Sequence, residues 1–547
     1  MPTSKTIRPK KSNLENYDLS PYKAWGVIVL TILLVGFLRA RLLNVPLERD
    51  EGEYAYMGQL LLQGIPPYKL AYSMKLPGIY AVYGVIMAVF GQTITAIHLG
   101  LLLANVITIV LLFLIAKRIA DNRAGIIAAI VFAVLSISPL SHGLAANAEH
   151  FVVLFALGGI LCMLKAIESQ RLHCFFLSGL LLGFSMLVKQ HGGCFAIFAG
   201  LYILLTGLRK QTHRVRILAQ QAGLYICGLF LPYGLACLFL FAEGVFDNFW
   251  FWTATYSKQY ATRLSLSTGV KYYLSDAIEN VFKPSFSIWI LGIFGFAALF
   301  DHKIRRYYMF IIGFTLFSLI SVFPGYFFRR HYFILLLPAT AVLIGIGYTS
   351  AIAILAKRKK ALAIIPVTIF GIAVIAALLN QGKLLFSASP IEVSRAVYGL
   401  QPFPEALEIA KYIKRSSTKQ DTIAVLGSEP EIFFYANRRS ATSYIYVYPL
   451  MEEHSKALEM QNEMMQNIQK AKPKFIVSVV NPLSWGVSRG SVTKIFNWSA
   501  DYCRQHYKIV GIVDMLSADW TDYYWDNEAR KNTPQSQEYV IILERKT

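Results

Sequence analysis

The sequence predicts a polytopic α-helical membrane protein that ends in a soluble α/β domain. Of its 547 residues, 55% are hydrophobic and only 16% are charged, and the mean hydropathy is +0.47. A soluble protein of this size does not carry so many long apolar runs. After about residue 381 these runs give way to short apolar segments that alternate with polar helical stretches, a pattern typical of strands between helices.

The membrane part is predicted to contain about eleven spans, because a helix needs about 20 apolar residues to cross a bilayer. The run 77–91 is apolar but short, and it is assigned to an interfacial or re-entrant helix. The candidate spans are roughly 24–43, 93–116, 124–142, 151–167, 174–188, 193–208, 217–242, 284–300, 307–324, 332–356 and 361–380.

Basic residues orient this topology. With the N-terminus in the cytoplasm, every predicted inward loop is basic, as the positive-inside rule requires. Arg39 and Arg41 are exceptions, since they lie at the outer end of the first span. The chain then divides into a basic cytoplasmic tail (1–23), a transmembrane catalytic domain (24–380) with a first outward loop (44–92), and a non-cytoplasmic soluble α/β domain (381–547).

Charge and cysteine usage exclude two classes of partner. The formal net charge is +21, but no soluble segment concentrates it, so we expect no nucleic-acid partner. The six cysteines show no CxxC or Cys/His spacing that predicts zinc, and no pair that predicts a disulfide framework.

The first outward loop carries four carboxylates in the six residues 48–53. A solvated acidic turn is the simpler interpretation of such a loop. Other charged residues lie at the same predicted face, however: Glu149 at the mouth of the fourth span, Lys189 at the end of the fifth, and residues 329–331 (RRH) at the start of the tenth. Each cation taken alone could be a snorkelling side chain.

Together, these charged groups predict a functional cavity. A charged side chain at membrane depth costs about 2.5–3.5 kcal/mol, so such residues tend to mark functional sites. A carboxylate can act as a general base for a hydroxyl nucleophile, and Lys and Arg can hold a phosphate.

Residues 50–56 (DEGEYAY) resemble the opening of the GT-C glycosyltransferases. The resemblance is strongest to the family 39-like bacterial enzymes, which include the dolichyl-phosphate-mannose protein mannosyltransferase superfamily and the aminoarabinose transferase of lipid A. It continues in 64–68 (GIPPY), 75–78 (KLPG), 147–149 (NAE), 187–189 (LVK), 330–338 (RHYFILLLP), 427–431 (GSEPE) and 446–449 (YVYP).

The resemblance implies roles for the acidic residues. Asp50 matches the catalytic aspartate of the first loop, and Glu51 matches the acidic residue beside it. Glu149 matches the second acidic group of the family. Glu53 and Tyr54 are expected to contact the acceptor or the sugar.

The resemblance also implies a set of cations for the donor phosphate. Lys75 matches the lysine of a Lys-Pro-Pro turn, although Leu76 replaces the first proline, which leaves the shape of the turn open. Either Arg329 or Arg330 could be the arginine that contacts the phosphate. The expected phosphate-binding residues are Lys75, Lys189, Arg329, Arg330 and His331.

An inverting membrane glycosyltransferase follows from these roles. It would transfer a sugar from a polyprenyl phosphate to a hydroxyl or phosphate of a lipid, glycan or protein, on the non-cytoplasmic face of a bacterial inner membrane. No metal site is assigned and no cofactor is firmly implied, although Mg²⁺ or Mn²⁺ would suit paired carboxylates. The rival class is a transporter or lipid flippase, for which broken helices or repeat symmetry are expected and not visible.

The aromatic outward segment 243–283 has two interpretations. It is either an interfacial aromatic belt or a lid over the acceptor or the sugar.

Overall fold

The computed structural model describes residues 19–209 and 215–546, so most of the predicted basic tail lies outside the described residues. Helices dominate up to about residue 387, and every strand of the described chain lies beyond residue 421. The first nine helices are α1 (Pro21–Arg41), α2 (Arg49–Leu62), α3 (Pro77–Phe90), α4 (Ile94–Ile119), α5 (Asn122–Ser136), α6 (Ala148–Ser169), α7 (Leu172–Val188), α8 (Gly192–Arg209) and α9 (Val215–Ala242).

After α9 the chain continues as short helices joined by π-helical turns (Phe251–Tyr256, Gly269–Leu274, Ile278–Phe282), and longer helices follow from Phe286 onwards. Short 3₁₀ turns lie at Pro139–Ser141, Lys283–Ser285, Phe296–Phe300, Pro324–Tyr326, Arg330–Leu336 and Lys360–Ala363, and one more π-helical turn lies at Lys383–Ser387. The helices are α10 (Phe246–Trp250), α11 (Ser257–Ala261), α12 (Leu266–Thr268), α13 (Ser275–Ala277), α14 (Phe286–Gly295), α15 (His302–Arg305), α16 (Tyr308–Ile320), α17 (Leu337–Arg358) and α18 (Ile364–Leu379).

The apolar helices identify an integral membrane protein. Eight helical stretches among the described residues are long and apolar enough to cross a bilayer. Three further predicted spans coincide with the shorter apolar helices α5, α7 and α16, so the total of eleven stays a prediction. Helix α3 has 14 residues, or about 21 Å, against a hydrocarbon core of about 30 Å.

The predicted outward segment 243–283 overlaps a helical stretch that runs from Leu266 to Phe300. An 18-residue window of this stretch is apolar enough to cross a bilayer, so the boundary at residue 283 stays a prediction. The π-helical turns keep the chain helical through its polar residues. One of those residues, Asp276, lines the cavity described below, which explains how a polar group is accommodated in this stretch.

Arg39 and Arg41, the exceptions to the charge rule, both donate to backbone carbonyls. Arg39 is buried and donates to the carbonyls of Ser136 (2.7 Å) and Gly143 (3.1 Å). Arg41 donates to the carbonyls at residues 384, 385 and 388, at 2.6–3.3 Å. Both arginines therefore join segments of the fold, which accounts for their place at the end of α1.

The C-terminal part contains one mixed sheet of six strands in the order β2-β1-β3-β6-β4-β5. Strands β1, β2 and β3 are parallel, and β6 and β5 run antiparallel to their neighbours. The strands are β1 (Thr422–Leu426), β2 (Arg439–Ser440), β3 (Phe475–Val480), β4 (Tyr507–Met515), β5 (Thr521–Trp525) and β6 (Tyr539–Arg545). The helices are α19 (Pro390–Tyr398), α20 (Glu405–Arg415), α21 (Glu431–Ala436), α22 (Tyr448–Met451), α23 (Ala457–Ala471), α24 (Pro482–Trp485) and α25 (Lys494–His506).

This sheet confirms the predicted α/β domain. The sequence predicts strands at 422–426, 475–479, 509–513 and 539–543, which are present as β1, β3, β4 and β6. It predicts helical stretches at 404–415 and 452–471, which are present as α20 and α23. The two missed strands lie at the edges of the sheet. Strand β2 has only two residues and β5 is half-buried throughout, so neither gives a strong apolar pattern.

Candidate active site

Helix α2 presents the acidic motif, and a capping box fixes where this helix begins. The Glu48 side chain accepts from the backbone N–H of Glu51, and the Glu51 side chain accepts from that of Glu48, each at 3.3 Å. The spacing of these two glutamates satisfies two backbone donors that a helix start leaves free. Asp50 therefore lies in the first turn of α2, near the positive end of the helix dipole.

Glu51 does not line the cavity. It is buried, and its Oε1 accepts from the backbone N–H of Ala146 (2.6 Å) and lies 3.0 Å from Nε2 of His98. The carboxylate predicted to act beside Asp50 instead joins α2 to α4 and to the loop before α6.

Lys75 is positioned by the turn before α3. Its backbone N–H donates to the Ser73 hydroxyl (3.1 Å), and its carbonyl accepts from the Tyr68 hydroxyl (2.7 Å). Leu76, which replaces the family proline, has φ −75° and ψ 153°. These are the angles that proline itself favours, so the turn keeps its shape without it.

A cavity of about 480 Å³ opens beside the first turn of α2. Asp50 and Lys75 both line it, and Nζ of Lys75 lies 3.2 Å from Oδ2 of Asp50. Glu53, one turn along the helix, also lines it, and its carboxylate accepts from the hydroxyls of Ser73 and Tyr80.

The two cavity carboxylates on α2 differ in protonation. Burial raises the pKa of Asp50, but the positive charges of Lys75 and Lys189 oppose this and bring it below its ordinary value. Burial raises the pKa of Glu53 to about 7, although Lys75 acts in the opposite direction. Asp50 is therefore ionised at neutral pH and available to accept a proton, whereas Glu53 is close to half protonated.

Tyr54 lies behind this surface. Its ring is buried, and its hydroxyl accepts from Nζ of Lys75 at 3.3 Å. Tyr54 is not among the residues that line the cavity, and its predicted contact with the acceptor or sugar stays a prediction.

Glu149 and Lys189 form a buried pair next to the cavity but do not line it. Glu149 lies in the first turn of α6, and Lys189 follows the last residue of α7. Nζ of Lys189 donates to Oε1 of Glu149 at 2.5 Å and lies 4.5 Å from the centre of the Tyr332 ring. Because Tyr332 does line the cavity, this pair lies directly beneath its wall.

The two neighbouring arginines have different surroundings. Arg330 makes two hydrogen bonds to the carboxylate of Asp276, at 2.7 and 2.8 Å. Arg329 is exposed to the cavity and lies over the rings of Tyr273 (5.5 Å) and Phe327 (5.4 Å). Within residues 19–209 and 215–546, it has no carboxylate partner.

His331 also lines the cavity. Its Nε2 lies 3.9 Å from Oε1 of Glu149, and its ring packs against that of His142 at 5.6 Å between centres. It therefore connects the cavity to the buried pair beneath.

Many aromatic residues of the cavity come from parts of the chain to which no firm site role was assigned. The segment 243–283 contributes five aromatic side chains, which is the position that the lid interpretation requires. The C-terminal domain contributes a further set, and the motif 446–449 was the available signal for it. The aromatic residues from these two sources are Trp252, Tyr256, Tyr260, Tyr272, Tyr273, Tyr398, Phe403, Tyr444, Tyr446 and Tyr448.

In the described part of the chain, no three His, Cys, Asp or Glu side chains are grouped so that they could hold a metal ion.

Comparison with known proteins gives a match to one family model over part of the chain, and a fold. A family model described as dolichyl-phosphate-mannose-protein mannosyltransferase matches residues 75–235. No curated protein sequence matches the chain. Among solved structures, ArnT from Cupriavidus metallidurans bound to undecaprenyl phosphate matches 96% of this chain and 98% of its own, with a TM-score of 0.61 and 14% identity.

The oligosaccharyltransferase AglB of Archaeoglobus fulgidus, in complex with an inhibitory peptide and a dolichol-phosphate, covers 98% of this chain and 76% of its own. Its TM-score is 0.54 at 11% identity. The chain has the GT-C fold. Because the match to ArnT covers both chains almost completely, the GT-C similarity includes the C-terminal sheet domain as well as the membrane helices.

Proposed function

We propose that the protein is an inverting glycosyltransferase that takes a sugar from a polyprenyl phosphate. The observation that carries this proposal is the placement of an ionised carboxylate, Asp50, 3.2 Å from Lys75 in a cavity that also contains Arg329. A base for a hydroxyl and cations for a phosphate are thereby within one cavity. The GT-C fold and the lipid phosphate bound by its structural neighbours support this assignment.

In the proposed reaction, Asp50 accepts the proton of the acceptor hydroxyl. The hydroxyl oxygen forms a bond to the anomeric carbon, and the bond from that carbon to the phosphate oxygen breaks. The polyprenyl phosphate leaves with the bonding electron pair, and the configuration is inverted. Lys75 stabilises the charge that develops on the phosphate, so no general acid is needed.

Arg329, and not Arg330, is the proposed phosphate-binding arginine. Both arginines line the cavity, but Arg330 already donates two hydrogen bonds to Asp276, whereas Arg329 has no carboxylate partner among the described residues. Aromatic rings beneath Arg329 hold its guanidinium plane without neutralising its charge. Lys189 and Glu149 lie next to the cavity without lining it. Lys189 adds positive potential at the phosphate, and Glu149 holds Lys189 in place.

The acceptor is a lipid, glycan or protein on the non-cytoplasmic face of a bacterial inner membrane, and the C-terminal domain lies on that same face. Contacts between α2 and this domain support the common location. The reaction as proposed uses no metal ion, so chelation by EDTA is expected to leave turnover unchanged.

The deciding experiment incubates the purified protein with a panel of polyprenyl-phosphate sugars and measures release of the polyprenyl phosphate. Release is expected with at least one donor, and Asp50→Asn is expected to abolish it while the protein stays folded. Asp247→Asn is the matched control, because Asp247 is an exposed aspartate outside the cavity. Wild-type turnover in Asp50→Asn would remove Asp50 as the base, and lipid movement across vesicles without transfer would favour a flippase.

A further inference from the structure

Helix α2 is held by a segment of the C-terminal domain, residues 428–440, which we call the α2 cradle. The backbone N–H of Leu47, just before the helix, donates to the hydroxyl of Tyr435 at 2.9 Å. Nearly two turns beyond Asp50, the hydroxyl of Tyr56 accepts from the backbone N–H of Ser440 at 2.8 Å. The cradle therefore contacts α2 on both sides of the proposed base.

Between these two contacts the backbones approach closely at Gly52. A Cβ atom added at Gly52 would lie 2.6 Å from the backbone nitrogen of Glu431 and 2.9 Å from its Cα. Both distances are far shorter than van der Waals contact, so the packing requires a residue without a side chain. The first turn of α2 is thus seated directly on the start of α21.

Arg49, the residue immediately before Asp50, anchors this contact. Its guanidinium donates to the carbonyl of Ser428 (2.6 Å), the hydroxyl of Tyr448 (2.9 Å) and Oε1 of Glu429 (3.3 Å). The other oxygen of Glu429 accepts from the hydroxyl of Ser484 at 2.7 Å. Arg49 and Glu429 are both buried, so each charge depends on the other for its compensation.

We infer that Arg49 and Glu429 are a positioning pair, which fixes the first turn of α2 and so holds the Asp50 carboxylate at its distance from Lys75. The inference rests on the proposed function, because it takes Asp50 as the base. Loss of either charge leaves the other buried and unpaired, and the turn must shift to restore its hydration. A shift of about 1 Å in a catalytic base can lower turnover by about 100-fold.

The test uses Glu429→Gln in the full-length protein and has two readouts. Hydrogen exchange of the amides at 49–56 reports the order of the turn whether or not the enzyme is active. Steady-state kinetics with a polyprenyl-phosphate sugar report whether Asp50 is still positioned to act as the base. We expect faster exchange in α2 and kcat lowered at least about 10-fold. The donor KM should change less than kcat, because Glu429 itself does not line the cavity.

Glu544→Gln is the matched control. It removes an ion pair with Lys508 (2.9 Å) that lies on the sheet of the same domain, in partly exposed surroundings. Exchange in α2 and kcat should both keep their wild-type values in this variant.

A mutant cycle tests whether the two residues act together. Arg49→Gln combined with Glu429→Gln should lower kcat no more than about twofold beyond the worse single variant, since residues that act as one unit are not additive. If Glu429→Gln does not fold, Arg49→Lys replaces it, because lysine keeps the charge but cannot reach three acceptors at once.

Two results would overturn the inference. One is unchanged hydrogen exchange in α2; the other is a loss of activity that only follows the folded fraction. If the wild-type protein transfers no sugar at all, the proposed function fails first. Exchange in the variants then decides separately whether the pair holds the turn.

Discussion

Arg330 and Asp276 are joined by two hydrogen bonds of 2.7 and 2.8 Å, which occupy one edge of the guanidinium. The sequence alone could not show which of the two adjacent arginines is free to bind a phosphate, and the carboxylate partner of Arg330 distinguishes it from Arg329. We expect Arg329→Gln to lower kcat/KM for the lipid-phosphate donor by roughly 10- to 100-fold, since a charge-assisted contact to the phosphate is lost.

The comparison variant is Arg330→Gln. The Asp276 side chain is 44% exposed, so loss of this ion pair should cost at most about 1 kcal/mol. We expect less than about a 10-fold change in kcat/KM, measured with the same donor. The opposite order of effects would assign the phosphate to Arg330.

Lys75 should control the pH dependence of the reaction. Its charge lowers the pKa of Asp50, so Lys75→Met should raise that pKa. The base must be ionised to act, and the acidic limb of the kcat/KM profile should therefore move to higher pH. At neutral pH we expect turnover to fall roughly 100-fold, because a cation that stabilises the leaving phosphate is also lost.

The control for this measurement is Lys69→Met, because Lys69 is an exposed lysine of the same loop that does not line the cavity. Its profile should match the wild type. An acidic limb that stays in place in Lys75→Met would show that Asp50 does not set it.

Breaking the ion pair between Glu149 and Lys189 should mainly lower the free energy of unfolding. Both side chains are buried, with exposed fractions of 1% and 6%. Lys189→Met leaves the carboxylate without its partner, and we expect a loss of about 3–5 kcal/mol, measured by thermal or denaturant unfolding in detergent. Adding Glu149→Gln should recover much of this loss, whereas a double variant less stable than Lys189→Met would contradict the pairing.

Glu431 should make the stability of the folded protein depend on pH, whether or not the protein transfers a sugar. Burial, followed by the charge of Glu429, raises the pKa of Glu431 well above its ordinary value, and neither of its carboxylate oxygens has a hydrogen-bond partner in the described chain. The folded state therefore binds a proton that the unfolded state releases above about pH 4.3.

The contribution of Glu431 to the free energy of unfolding is fully present below the pKa that this group has in the unfolded chain. It declines as the pH rises above that value towards the higher pKa of the folded state. The Tm of Glu431→Gln relative to wild type should accordingly increase between about pH 4.5 and 8. A constant difference in Tm across this range would mean that Glu431 is ionised in the folded protein.

The membrane helices and the central strands of the sheet could be predicted from local sequence patterns. Apolar length identified the membrane helices, and alternation identified strands such as β1 and β3. The capping spacing of Glu48 and Glu51 was present in the acidic motif, yet the motif was interpreted as a solvated turn or as catalytic residues, and not as the start of a helix. That is why Glu51 was expected in the cavity.

Partnerships between distant residues could not be predicted in the same way. Asp276 lies in an aromatic polar stretch, and nothing in its neighbourhood indicates that it pairs with Arg330. Arg49 and Glu429 are 380 positions apart. Such contacts arise from tertiary packing, which no local periodicity encodes.

The cradle beneath α2 has a consequence for biosynthesis. The helix that carries Asp50 leaves the ribosome early, but its supporting segment follows only after all of the candidate membrane spans of the described residues. The contact between Leu47 and Tyr435 spans 388 positions. Because domains tend to fold as units in the order of synthesis, the nascent chain is inserted in the membrane well before its proposed base can be fixed in place. With the proposed topology, the protein should therefore become competent for the proposed transfer only once its C-terminal domain has crossed the bilayer and docked on α2.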